Sequence, residues 1–224
     1  FFALGQRASQ LTYNYANRIG AGFLENRDLG LTVFGQSIVE RMNKVGMAVD
    51  LSHCGDRTTL DGIAATTKPP IFSHASCRAL MPGALRCKTD EAIRALARKG
   101  GVMGIPFIRF MVRDHEPVTG EHILDHFDHV IKLVGPEHVG VGSDMDIVGN
   151  PNPVNGPPIT ETPNWERYKF HRDAEGRITV QGFDHPKRTY DLTEGLIRRR
   201  HSDATIKAIL GGNFARVLGE IWPA

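Results

Sequence analysis

No apolar run in this chain approaches the roughly 18–20 residues that a membrane-crossing helix needs. The C-terminal "GEIWPA" carries no hydrophobic tail of the kind that directs a lipid anchor. Cysteine is scarce: Cys54, Cys77 and Cys87 are the 3 in the chain, an odd number with no C-x-x-C spacing. That speaks against a disulfide framework and a cysteine-rich zinc site, and reads all three as small buried hydrophobes. Charge of one sign is lacking too, since 27 Lys and Arg against 25 Asp and Glu leave +2. Such a field is too weak to gather nucleic acid or an anionic membrane. The densest basic run, Arg198-Arg199-Arg200, reads as a solvated helix end. There is no G-x-x-x-x-G-K-[ST] phosphate loop, no G-x-S-x-G elbow and no H-E-x-x-H helix. The glycines of "GGVMGIPF" and "GVGSD" do not match a dinucleotide fingerprint. The N-terminal "FFALGQRASQ" starts without Met and without a charged-then-apolar leader. We therefore expect a chain that begins inside a fold. Its localisation, cytoplasmic or periplasmic if the source is bacterial, is not readable from it.

What is present is an ordinary globular composition, 41% hydrophobic and 23% charged, over 224 residues. Strand and helix signals alternate along it. Strands are expected at 9–13, 47–52, 71–73, 102–107 and 138–144. Helices are expected at about 33–46, 57–67, 89–101, 121–135, 190–200 and 203–222, the last with Ser202 as N-cap. Phe34, Ile38 and Met42 form an i, i+4, i+8 stripe on the first helix. The helix at 89–101 has acids in its first turn and bases in its last, as the helix dipole favours. Between the fifth strand and the final helices runs a Pro/Asn-rich insertion at about 150–187, too long for an ordinary connection. Alternating strands and helices mean parallel β/α units, wound either as an open sheet or as a (β/α)8 barrel. Five or six units are two or three short of a closed barrel.

The polar residues then fall into register. Tyr13, His53, His74 and Asp144 all lie at C-terminal ends of expected strands, the face where a β/α barrel gathers its active site. Two neutral imidazoles on neighbouring strand ends can converge on one divalent ion, and Asp144 is a carboxylate neighbour for such a site. The competing reading is two histidines satisfied by hydrogen bonds at loop starts. His122, His126 and His129 have helical spacing too. Yet Ile123, Phe127, Val130 and Ile131 make theirs an ordinary amphipathic helix, remote from the strand ends.

The ordered set "QLTYN", "GLTVFGQSIVERMNKVGMAVDLSHCG", "PPIFSHASCRAL", "DHFDHVIKLVGPEHVGVGSDMD" and "ILGGNFARVL" resembles the membrane (renal or microsomal) dipeptidases and their bacterial relatives. The resemblance covers nearly the whole chain outside the insertion. It implies an amidohydrolase-like (β/α)8 TIM barrel with two zinc ions per complete site, which activate water to hydrolyse dipeptides. By that resemblance His53 and His74 are the two histidine ligands of one zinc, and Asp144 is the aspartate that assists proton transfer. Arg86 matches the arginine that holds the substrate carboxylate, through an alignment shifted by one residue. Tyr13 stands where renal-type members place a substrate-contacting histidine. The family's H-x-D pair and bridging glutamate belong before "LTYN" and are not in this sequence. The expectation is therefore that residues 1–224 are the C-terminal portion of a single dipeptidase barrel domain, with ligands for mainly one zinc. The expected partner is a dipeptide substrate, with no nucleic acid and no transmembrane segment; a homodimer is left open. Lactone or acyl-amino-acid hydrolysis on the same scaffold, or an inactive truncated member with a binding or structural role, are the rival readings.

Overall fold

The computed structural model describes residues 1–145, 163–168 and 171–222. Five short strands, β1 (Ala8–Gln10), β2 (Ala48–Asp50), β3 (Ile71–Phe72), β4 (Val102–Ile105) and β5 (Val139–Val141), form one sheet in the order β1-β2-β3-β4-β5. Every neighbouring pair is parallel, with Ser9 opposite Val49, Asp50 opposite Ile71, Phe72 opposite Met103 and Gly104 opposite Gly140. A doubly wound sheet reverses its strand order part-way. Here each strand pairs with the next in sequence, which is the winding of a barrel. The units are consecutive β/α units of the (β/α)8 type.

The helices are α1 (Val33–Val45), α2 (Asp56–Ala65), α3 (Asp90–Arg98), α4 (Arg109–Val112), α5 (Gly120–Val134), α6 (Arg188–Arg198), α7 (Asp203–Lys207) and α8 (Asn213–Ile221). Their ends follow local chemistry. Thr32 Oγ1 accepts from Gly35 N at 2.9 Å to cap α1, and Gly46 closes that helix with φ 77°. Thr89 caps α3 through Ala92 N, and Ser202 caps α7 through Thr205 N, as expected. The core joins the strand residues Val49, Phe72, Met103, Ile105 and Val139 to the helix residues Val39, Ile63, Ile93, Leu96, Phe127 and Leu192. Strands covered on both faces read as near-continuous apolar runs, which is how "MAVDL" and "GGVMGI" read. Truncating a buried Phe to Ala in such a core costs about 3–5 kcal/mol.

β1, β2 and β5 end at Gln10, Asp50 and Val141, two or three residues before their expected limits, and three further elements differ from expectation. The fourth strand stops at Ile105 rather than 107, because Pro106 has no N–H to give the ladder. The single final helix is divided: α7 passes through a π-helical turn, Ala208–Gly212, into α8. The Gly211-Gly212 pair there loosens the helical backbone. Helix α4 is four residues long, too short to show a period. The expected insertion at about 150–187 lies partly outside the described residues. Its described parts are pinned at both ends. Tyr15 Oη donates to Pro163 O at 2.8 Å, and Asn164 Nδ2 donates to Leu24 O at 2.8 Å. Thr179 bridges to Ile108, while Val180 and Phe183 are buried in the core. Among the described residues no helix is long and apolar enough to cross a membrane.

Candidate active site

Parallel pairing puts all five C-terminal strand ends on one edge. Tyr13, His53, His74 and Asp144 follow β1, β2, β3 and β5 by two or three residues, so all four belong to that edge. Close backbone packing brings their loops together. Phe23 N donates to His53 O at 3.0 Å, and Gly55 N donates to Ala21 O at 3.0 Å. Gly22 makes this possible: a Cβ there would lie 2.2 Å from Tyr13 O. The glycines of "GVMGIPF" and "GVGSD" have a similar use. A Cβ on Gly104 would stand 2.3 Å, and one on Gly142 2.0 Å, from Ser73 O.

His53 is 3% exposed. Its Nε2 faces His74 Nε2 at 3.1 Å, and its Nδ1 meets Asn14 Oδ1 at 3.0 Å. An amide oxygen only accepts, so His53 carries its proton on Nδ1. His74 Nδ1 meets Ser73 Oγ at 2.9 Å. The Ser73 hydroxyl donates to the Asp50 carboxylate, a stronger acceptor than imidazole, so Ser73 accepts from His74 Nδ1–H. Both Nε2 atoms are therefore left as lone pairs pointed at each other. Burial, and after it the Arg86 guanidinium, lowers the pKa of both imidazoles, so neither supplies a proton to fill the gap.

Facing lone pairs repel unless a cation lies between them. Two imidazoles on one tetrahedral zinc, with Zn–N of about 2.0–2.1 Å, hold their nitrogens about 3.3 Å apart. The observed separation and the neutral donors fit one end of such a site. Among the described residues no cluster of three or more His, Cys, Asp or Glu could hold a metal by itself. The pair thus stands as part of a ligand set.

The other expected residues surround it. Tyr13 is 63% exposed and stacks on the His53 ring, 4.2 Å between centroids at 25°. Asp144 is exposed at the rim with φ 54°, a left-handed backbone that aspartate tolerates better than most residues. Desolvation around its carboxyl raises its pKa against the opposing pull of Arg86. Arg86 is buried: Nη1 donates to Ser52 O at 2.7 Å, Nη2 to His74 O at 2.8 Å, and Nε has no partner. It therefore grips the backbone of both histidine-bearing loops. A cavity of about 260 Å³ is lined in part by Ser143 and Met145, the chain neighbours of Asp144, with Phe107 and Arg188. A larger one, about 290 Å³, sits between α5 and α6 and touches none of these residues.

Three participants were not read from sequence: Asn14, Asp50 and Ser73. A signal existed for the serine, because "DLSH" and "FSH" both place Ser directly before the histidine. Asp50 was read simply as part of a buried strand.

Comparison with known proteins finds similar sequences and folds over most of the chain. Dipeptidase verJ of Clonostachys rogersoniana is 34% identical over 192 residues, covering 86% of this chain and 42% of that protein. An amidohydrolase from Pseudomonas aeruginosa superposes with a TM-score of 0.81 at 27% identity, over 98% of this chain and 66% of its own. A metallo peptidase from Rhodobacter sphaeroides, solved with a phosphinate mimic of the dipeptide L-Ala-D-Ala, shares the fold with a TM-score of 0.79. Its identity is 20%, over 99% of this chain and 57% of that one. The chain thus spans about two fifths of the curated relative. The sequence profile of the membrane dipeptidases, peptidase family M19, matches residues 1–156, and the chain belongs to that family.

Proposed function

We propose that this chain supplies the His53–His74 part of the active site of a zinc-dependent dipeptidase, whose activated water cleaves the peptide bond of a dipeptide. The observation that carries the reading is the pair of neutral Nε2 lone pairs 3.1 Å apart, on buried His53 and half-buried His74, each with its Nδ1 already engaged. Zinc held there would supply Lewis acidity and lower the pKa of water. The chain's own residues do the rest. Asp144, at the rim of the same edge, takes a proton and passes it to the leaving amine. Arg86, buried against the backbone of both histidine loops, contributes the fixed positive charge whose field draws a substrate carboxylate. Tyr13, against His53 and open to solvent, offers a phenol to the oxygen that gains charge.

The test uses the protein at its natural gene length. Zinc content is measured alongside hydrolysis of dipeptides, N-acyl amino acids and lactones. Dipeptides are the expected substrates. Asp144→Asn should keep the zinc and lower kcat by about 10²–10⁴-fold. A wild-type protein without zinc, or Asp144→Asn at full kcat, would overturn the assignment.

A further inference from the structure

One carboxylate beside the histidine pair has no part in that reaction scheme. Asp50 ends β2 and is 4% exposed. Its Oδ1 accepts from Ser52 N at 3.0 Å, Ser52 Oγ at 2.6 Å and Ser73 N at 3.1 Å. Its Oδ2 accepts from Ser73 Oγ. Four donors from two loops converge on one anion. Both serine hydroxyls have then spent their protons and act as acceptors toward His74. Ser73 Oγ takes His74 Nδ1–H at 2.9 Å, and Ser52 Oγ takes His74 N–H at 3.1 Å. Asp50 thus reaches His74 twice, at the ring through Ser73 and at the backbone through Ser52.

We propose that Asp50 is a positioning residue that acts through Ser73 to hold His74 as the Nδ1–H tautomer, with Nε2 turned toward His53. A neutral imidazole has two tautomers, and the hydrogen bond made by one nitrogen decides which lone pair is free at the other. A buried carboxylate behind the serine hydroxyl biases that choice more strongly than a neutral group, because a charge-assisted hydrogen bond is roughly twice as strong. His53 shows the contrast: its Nδ1 rests on the neutral Asn14 amide. Outer partners of this kind orient a ligating histidine and raise its basicity. The purpose of the device rests on the zinc reading above; its geometry does not.

Ser73→Ala cuts the link and leaves Asp50 in place, Ser73→Thr keeps the hydroxyl, and Asp50→Asn removes the charge. Each is made in the protein at natural gene length, with folding checked by circular dichroism. Two quantities are read: the ¹⁵N shifts of the His74 ring in zinc-free protein, and zinc affinity by chelator competition. Wild type should show a single Nδ1–H form at His74. Ser73→Ala should show a mixture of tautomers and bind zinc about 10–100-fold more weakly. Ser73→Thr should restore both, and Asp50→Asn should follow Ser73→Ala. A Ser73→Ala protein that keeps the single tautomer and binds zinc within twofold of wild type overturns the proposal. A wild type that binds no zinc while Ser73→Ala still switches tautomer upholds the role of Asp50 and removes the zinc reading instead.

Discussion

Helix α5 and the sheet edge each hold histidines, and the two groups differ in what their ring nitrogens are left to do. His126 is fully buried; its Nδ1 accepts from Cys77 N at 3.1 Å and its Nε2 donates to Val112 O at 2.9 Å. His122 Nδ1 accepts from Thr119 N at 3.1 Å to complete the capping box of α5, and its Nε2 meets Arg113 Nη1 at 3.0 Å. His129 Nε2 meets Asp90 Oδ1 at 2.8 Å and ties α5 to α3. These are fasteners. At the edge, His53 and His74 are also buried or half-buried and also hydrogen-bonded, but through one nitrogen each. Burial and hydrogen bonding therefore do not mark a functional histidine. Two unspent lone pairs turned on each other do.

The largest expected effect separates the groups by chemistry. His53→Ala or His74→Ala should each lose a zinc ligand, lowering zinc content by the one ion the pair holds and dipeptide hydrolysis by about 10³-fold or more, equivalent to about 4 kcal/mol. Metal analysis and kcat/KM on the protein at natural gene length read this directly. Full zinc and full activity in His53→Ala would erase the distinction.

Most of that distinction was legible in the sequence, and the part that was not has a physical cause. Strand ends could be placed because "MAVDLS" and "PPIFS" stop abruptly at polar residues. Parallel winding then put the following residues on one edge. The α5 stripe of Ile123, Phe127 and Val130 marked its histidines as belonging to an ordinary helix. Arg86 was placed by resemblance, but its grip on Ser52 O and His74 O depends on a buried approach that no local pattern encodes. Asp50 failed for a similar reason. A single acid in a fully buried strand has no period, and its meaning lies in hydroxyls 2 and 23 positions away. The π turn in 203–222 was hidden because Gly-Gly in a strongly apolar helical pattern loosens the backbone without ending it.

The next effect concerns stability alone. His126→Ala strips a buried N–H and a buried C=O of their partners and leaves a cavity, so it should destabilise the fold by about 3–4 kcal/mol while zinc content stays unchanged. A pH signature goes with it. Burial lowers the His126 pKa from the ordinary imidazole value of 6.5 to about 4. Between those values the unfolded chain binds the proton and the folded chain does not. Stability is therefore full above about pH 6.5 and falls as pH drops toward 4, by up to about 3 kcal/mol from this group. Urea unfolding across pH 4–7 measures it. His126→Gln cannot take up that proton and should give a flatter curve; identical slopes would mean that other groups carry the dependence.

The smallest effect belongs to His129. Its contact with Asp90 joins side chains that are 22% and 33% exposed, where water and salt already screen the interaction. His129→Ala should cost about 1 kcal/mol or less, shrink further in high salt, and leave zinc binding untouched. A double-mutant cycle with Asp90→Ala isolates the pair from the helix cap that Thr89 makes next to it. A coupling above about 2 kcal/mol would mean that α3 and α5 lean on this contact, and His129 would rank with His126 as a buried fastener. A change in zinc content would be the more damaging result. It would show that a histidine whose ring is already committed to a carboxylate still communicates with the sheet edge, and an unspent lone pair would no longer be enough to tell the two groups apart.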